Sequence, residues 1–81
     1  MAEIQIEYKN NVITANLTRE EEKGLGGLSL WILSINKGKE EVPLMKIAID
    51  NKGNCFVTYK QKGFVLPLEE IMKHIETDTS S

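Results

Sequence analysis

Leu28-Ser29-Leu30-Trp31-Ile32-Leu33-Ser34-Ile35 is the stretch that decides the fold of this chain. At a period of two it places Leu28, Leu30 and Ile32 on one side and Trp31, Leu33 and Ile35 on the other. A run that is apolar on both alternating faces is the pattern of an interior strand, which needs cover on each side. The segments before and after it are the only source of that cover within the chain.

Upstream, residues 4 to 17 predict a hairpin. With Asn10-Asn11 as a two-residue turn, Tyr8 faces Ile13, Ile6 faces Ala15 and Ile4 faces Leu17, while Gln5, Glu7, Thr14 and Asn16 take the other side. Asparagine tolerates the positive φ that such a turn demands. Thr18-Arg19-Glu20-Glu21 has the spacing of a capping box and predicts about one turn of helix, ended by Gly24-Leu25-Gly26-Gly27 in a surface loop.

Downstream, Asn36-Lys37-Gly38-Lys39 reads as a turn. Pro43 cannot donate to a ladder, so it belongs at the start of the next strand or on an edge. Leu44 to Ile49 then alternates, with Met45, Ile47 and Ile49 on one face and Leu44, Lys46 and Ala48 on the other. A loop with Gly53 at positive φ leads to Cys55–Tyr59, and a second break at residues 60–63 leads to Phe64-Val65-Leu66. Pro67 suits the first turn of a helix, Glu69 and Glu70 complement its positive end, and Leu68, Ile71, Met72 and Ile75 form one apolar stripe. The expected fold class is α+β: an antiparallel sheet of about five to six strands, an N-terminal hairpin continuing into a meander, with one C-terminal amphipathic helix packed on it.

A chain of 81 residues is long enough for one small core, so residues 1–76 are expected to form a single domain and 77–81 a disordered tail. A formal net charge of −2 supplies no global field that would recruit nucleic acid or an anionic membrane. The single cysteine, Cys55, excludes an internal disulfide framework. With no stretch long and apolar enough to span a bilayer, the expected location is cytoplasmic, with no membrane partner.

No motif in the sequence carries catalysis, a metal or a cofactor. Cys55 and His74 lack a third residue to orient the imidazole, and one histidine with one cysteine cannot close a coordination shell. Glu69-Glu70 and Glu40-Glu41 serve a helix start and a turn. The glycines at 24–27 lead into a strand, whereas phosphate-cradling loops lead into a helix. The chain is therefore expected to be non-enzymatic.

Two binding surfaces remain as candidates. One helix covers one sheet face, and a second apolar face left bare would exceed what soluble monomers commonly expose. Trp31, Leu33, Met45 and Ile47 are accordingly the candidate interface of a small regulatory or protein-binding module, either a homodimer or a complex with another protein. The alternative is single-stranded nucleic acid held by the basic and aromatic stretch from Tyr59 to Phe64, through Lys52, Tyr59, Lys60, Lys62 and Phe64. Lys46, Lys52, Lys60 and Lys62 face only Asp50 between residues 46 and 66. Lysine-glycine-apolar before an amphipathic helix, over Lys62 to Ile75, loosely resembles the transcriptional coactivators that bind single-stranded DNA as dimers. Such binders carry a basic excess that this chain lacks, and no residue role is transferred.

Overall fold

Strand alternation is obeyed almost throughout the computed structural model, which describes residues 2–20 and 28–79. Ile4 and Ile6 alternate with Glu3, Gln5 and Glu7 in β1 (Ala2–Tyr8), and Ile13, Ala15 and Leu17 alternate with Thr14 and Asn16 in β2 (Asn11–Glu20). β3 (Ser29–Lys37) holds the central apolar stretch and pairs with β4 (Glu40–Ile49). β5 (Cys55–Tyr59), the two-residue β6 (Phe64–Val65) and helix α1 (Leu68–Thr79) follow. The strands form one six-stranded antiparallel sheet in the order β5-β4-β3-β2-β1-β6, with α1 packed on one side. The α+β architecture is therefore the expected one, although α1 runs on past residue 76 to Thr79.

The sheet cannot be flat. β5 and β6 lie on opposite edges, yet only residues 60–63 join them. Five strand intervals of about 4.8 Å would separate the edges of a flat sheet by about 24 Å. The chain from Tyr59 to Phe64 reaches at most about 17 Å when fully extended. The sheet therefore curls into an open barrel, and the inner faces of β1 to β4 turn toward one another. Ile4, Ile6, Ala15, Leu17, Trp31, Leu33, Met45 and Ile47 meet in one core, closed by Ile71 and Ile75 of α1. Hence the N-terminal hairpin does not fold across a second face. It extends the sheet beside β3, and curvature supplies the cover that a second layer was expected to give.

Three local readings change. The first turn is Lys9-Asn10, with φ of 48° and 64°, so Ile4 faces Ala15, Ile6 faces Ile13 and Tyr8 faces Asn11. Compared with an Asn10-Asn11 turn, the register slips by two residues. A slip of two leaves every side chain on its original face, so burial pattern does not distinguish the two registers. The observed one places Gln5 opposite Thr14, and their side chains exchange hydrogen bonds of 3.1 and 3.3 Å.

Second, Thr18, Arg19 and Glu20 continue β2 instead of opening a helix, because each pairs with β3 (Thr18 with Ile32, Arg19 with Trp31, Glu20 with Leu30). Glu21 and the glycine stretch at 24–27 lie outside the described residues. Third, the β3–β4 register shifts between Leu33, which faces Met45, and Ser34, which faces Pro43. Leu44 is the extra residue of this bulge. A bulge bends the strand and re-aims a side chain, and Leu44, expected on the outer face, is instead buried beside Met45. Pro43 is tolerated inside β4 because β5 stops opposite Met45, leaving that part of β4 on a local edge.

Candidate functional site

Connection parity arranges the polar surface. In an up-and-down sheet, the first, third and fifth connections fall at one end and the second and fourth at the other. The turns at Lys9-Asn10 and Gly38-Lys39 and the crossing segment 60–63 therefore share an end. They bring with them Lys9, Lys37, Lys39, Lys60 and Lys62, five of the ten basic residues of the chain. Over residues 8–11, 36–40 and 60–64 these five lysines face one acid, Glu40, an excess of four positive charges in a chain whose net charge is −2. Lys52 lies at the opposite end, on the β4–β5 loop.

Inside this basic rim is an open concavity of about 370 Å³. Its wall is the inner face of the barrel beyond the residues that α1 covers: Tyr8, Ile13, Ile35, Val42 and Phe64, all half-buried. Lys37, Gln61 and Lys62 complete the lining. Tyr8 and Phe64, paired across the β1–β6 ladder, stack with centroids 4.5 Å apart and planes at 26°. Lys9 Nζ lies 5.2 Å from the Tyr8 ring centroid, close enough for a cation–π contact. The crossing segment is fixed at both ends. Lys60 N donates to Leu44 O at 2.8 Å, and Gly63, at φ +89°, passes so near Tyr8 that a Cβ there would meet the ring at 3.4 Å.

The two candidate sets read from the sequence fare differently. Trp31, Leu33, Met45 and Ile47 are 5%, 0%, 0% and 1% exposed, so within the single chain they are core and present no surface to a partner. Their burial follows from the curl. Of the nucleic-acid set, Tyr59, Lys60 and Lys62 are exposed and gather at the basic end, Phe64 is partly buried with one ring face against Tyr8, and Lys52 is separated from them by the length of β5. Cys55 is exposed at the start of β5 and His74 is exposed on α1. Among the described residues no three His, Cys, Asp or Glu side chains come together as metal ligands would.

Among the described residues Val12, Leu28, Val65 and Leu68 are exposed singly along the sequence, and the densest run of exposed apolar side chains lies on β5. Its inward-directed residues Val57 and Tyr59 are 42% and 58% exposed, and outward Phe56 is 58% exposed. Among the described residues β5 pairs with β4 alone, so its other edge has no strand beside it there. The outer face is polar where the hairpin forms it, and beside it Ser34 of β3, though buried, donates from Oγ to Glu41 Oε1 of β4 at 2.9 Å.

On the β4–β5 loop, Asp50 Oδ1 accepts from the backbone N–H groups of Lys52 (2.9 Å) and Asn54 (2.8 Å), and Oδ2 accepts from Asn54 Nδ2 (2.9 Å). The Asn54 side chain, followed by these amides, holds the Asp50 carboxyl below the ordinary aspartate range. This is a turn organiser; Gly53 supplies the positive φ within it.

The residues that sequence reasoning missed are Lys9, Lys37 and Lys39 and the wall formed by Tyr8, Ile13, Ile35 and Val42. Their signal is one of charge balance: the first, third and fifth connections carry five lysines against Glu40, whereas Lys52 on the fourth is matched by Asp50. Among the described residues no helix is long and apolar enough to cross a membrane. Compared with family models, with curated proteins and with solved structures, the chain matches none.

Proposed function

We propose that the chain is a small non-enzymatic binding module that acts through protein contacts, with β5 as the contact strand and a second copy of the chain as one of its partners. One observation carries this reading: among the described residues β5 has an unpaired edge and is exposed on both faces, with Phe56, Val57 and Tyr59 uncovered. An open edge offers unpaired backbone donors and acceptors to an incoming strand. Proteins usually blunt such an edge with lysine or proline, and Cys55–Tyr59 contains neither.

Self-pairing has a simple geometry. Two β5 strands related by a two-fold axis at Val57 would run antiparallel, with Phe56 opposite the second copy's Thr58 and Cys55 opposite its Tyr59. So short a strand places the contact at the small end of specific interfaces, below about 1,200 Å² in total, and the association is correspondingly weak. Light scattering over a concentration series tests it. The parent should gain mass toward a dimer as concentration rises, while Val57→Lys with Tyr59→Lys, both at exposed positions, should remain monomeric and folded. A parent that keeps monomer mass throughout refutes pairing through β5.

The gathering of Tyr59, Lys60 and Lys62 with three further lysines favours a second reading, binding of single-stranded nucleic acid at the basic end. Affinity for an oligonucleotide that falls steeply with salt would support it, since each neutralised phosphate releases counterions. No binding at low salt would dispose of it.

A further inference from the structure

We propose that the open mouth of the barrel is a binding site for a compact amphipathic organic anion, one carrying a single anionic head on a flat aromatic or short aliphatic body. The site is separate from the β5 edge and does not depend on it. Three observations converge on that chemistry. The concavity of about 370 Å³ has the volume of a small-molecule site, and barrel mouths are a common place for one. Its wall is apolar and partly flat: Ile13, Ile35 and Val42 on one side, the stacked rings of Tyr8 and Phe64 on the other. Its rim is cationic, with Lys37 and Lys62 in the lining and Lys9 beside the Tyr8 ring.

A wall of this kind takes the body of a ligand out of water, and the lysines meet its charge where solvent still reaches. An inorganic anion would use the rim and leave the wall wet. A neutral apolar ligand would gain nothing from the lysines. Single-stranded nucleic acid needs a succession of open rings for its bases to stack on. Here Phe64 has one face against Tyr8, and Tyr59 lies on β5, outside the lining. The mouth is a recess for one small group, not a track for a strand.

The probe for this site is 1-naphthoate, titrated into the full chain and followed through the methyl and amide resonances of Ile13, Ile35, Val42 and Gln61. The parallel titrations use inorganic phosphate, 1-naphthylmethylammonium (the same body with the opposite charge) and a thymidine oligonucleotide. Saturable shifts confined to the mouth with naphthoate, and at least tenfold weaker binding of phosphate and of the ammonium compound, are the expected result. Lys37→Ala with Lys62→Ala, both exposed side chains, should weaken naphthoate about tenfold while leaving the spectrum of the core unchanged. Ile35→Ser should weaken it further without altering the charge. Equal binding of the ammonium compound, an unchanged affinity in the lysine variant, or shifts scattered away from the mouth would each overturn the proposal. So would an oligonucleotide that binds the mouth while naphthoate does not.

Discussion

Replacing Ile71 tests whether α1 is an integral wall of the core. Ile71 is 0% exposed and, with Ile75, closes the core formed by the curled sheet. Truncation of a fully buried isoleucine to alanine costs about 2–5 kcal/mol, from lost transfer free energy plus the cavity left behind. Native stability of roughly 0.05–0.15 kcal/mol per residue gives a chain of this size about 4–12 kcal/mol in total. A loss of about 3 kcal/mol would therefore remove a large fraction of it. At about 4–8 °C per kcal/mol for a domain of this size, Ile71→Ala should lower the melting temperature by about 12–24 °C. Ile71→Asp adds a desolvated, unpaired carboxylate and should leave little folded protein at room temperature. Circular dichroism reports the whole fold, and Trp31, the sole tryptophan and 95% buried, reports the core by fluorescence. Lys73→Ala, at an exposed position of the same helix, serves as control and should melt within a degree or two of the parent. An Ile71→Ala variant that melts with that control would refute docking of α1 on the sheet.

Three further outcomes are expected. In a Cys55→Ser background, Gln5→Cys with Thr14→Cys should oxidise readily to a disulfide because these residues face each other, and Gln5→Cys with Asn16→Cys should not; the reverse result would restore the Asn10-Asn11 turn. Trp31 Nε1 is buried without a hydrogen-bond partner among the described residues. Trp31→Phe removes that orphaned donor and should cost about 1 kcal/mol or less in urea unfolding, against about 3–5 kcal/mol for Trp31→Ala; equal costs would mean that the indole N–H is satisfied. For Asp50, whose carboxyl titrates below its unfolded value, the hydrogen bonds it accepts contribute fully above the ordinary aspartate range and are lost as pH falls through its depressed pKa. The Lys52 and Asn54 amide resonances should therefore move together at acid pH while those of β2 and β3 stay still, and Asp50→Asn should abolish that titration.

Much of the architecture could be read from residue order because it rests on local physics. The two-residue period of residues 28–35 and 45–49, the proline and glutamates opening α1 and its Ile71–Ile75 stripe each depend on neighbours along the chain, and each holds in the structure. The hairpin turn was displaced because a two-residue slip conserves every face, leaving burial pattern blind to it. Strict alternation puts Leu44 on the wrong face because a bulge breaks the period and has no fixed sequence signal.

Which apolar face was left bare depended on tertiary structure alone. Treated as flat layers, the strands leave Trp31, Leu33, Met45 and Ile47 without cover; the short span of residues 60–63 instead pulls the two edges together, and the sheet covers itself. On β5, the edge strand, Phe56, Val57 and Tyr59 remain exposed. The curl also gathers lysines from three connections, far apart in sequence, around one apolar mouth. Strand periodicity is a property of adjacent residues and is written in the sequence. Closure is set by the ratio of a linker's reach to a sheet's width, and it exists only once all six strands are in place.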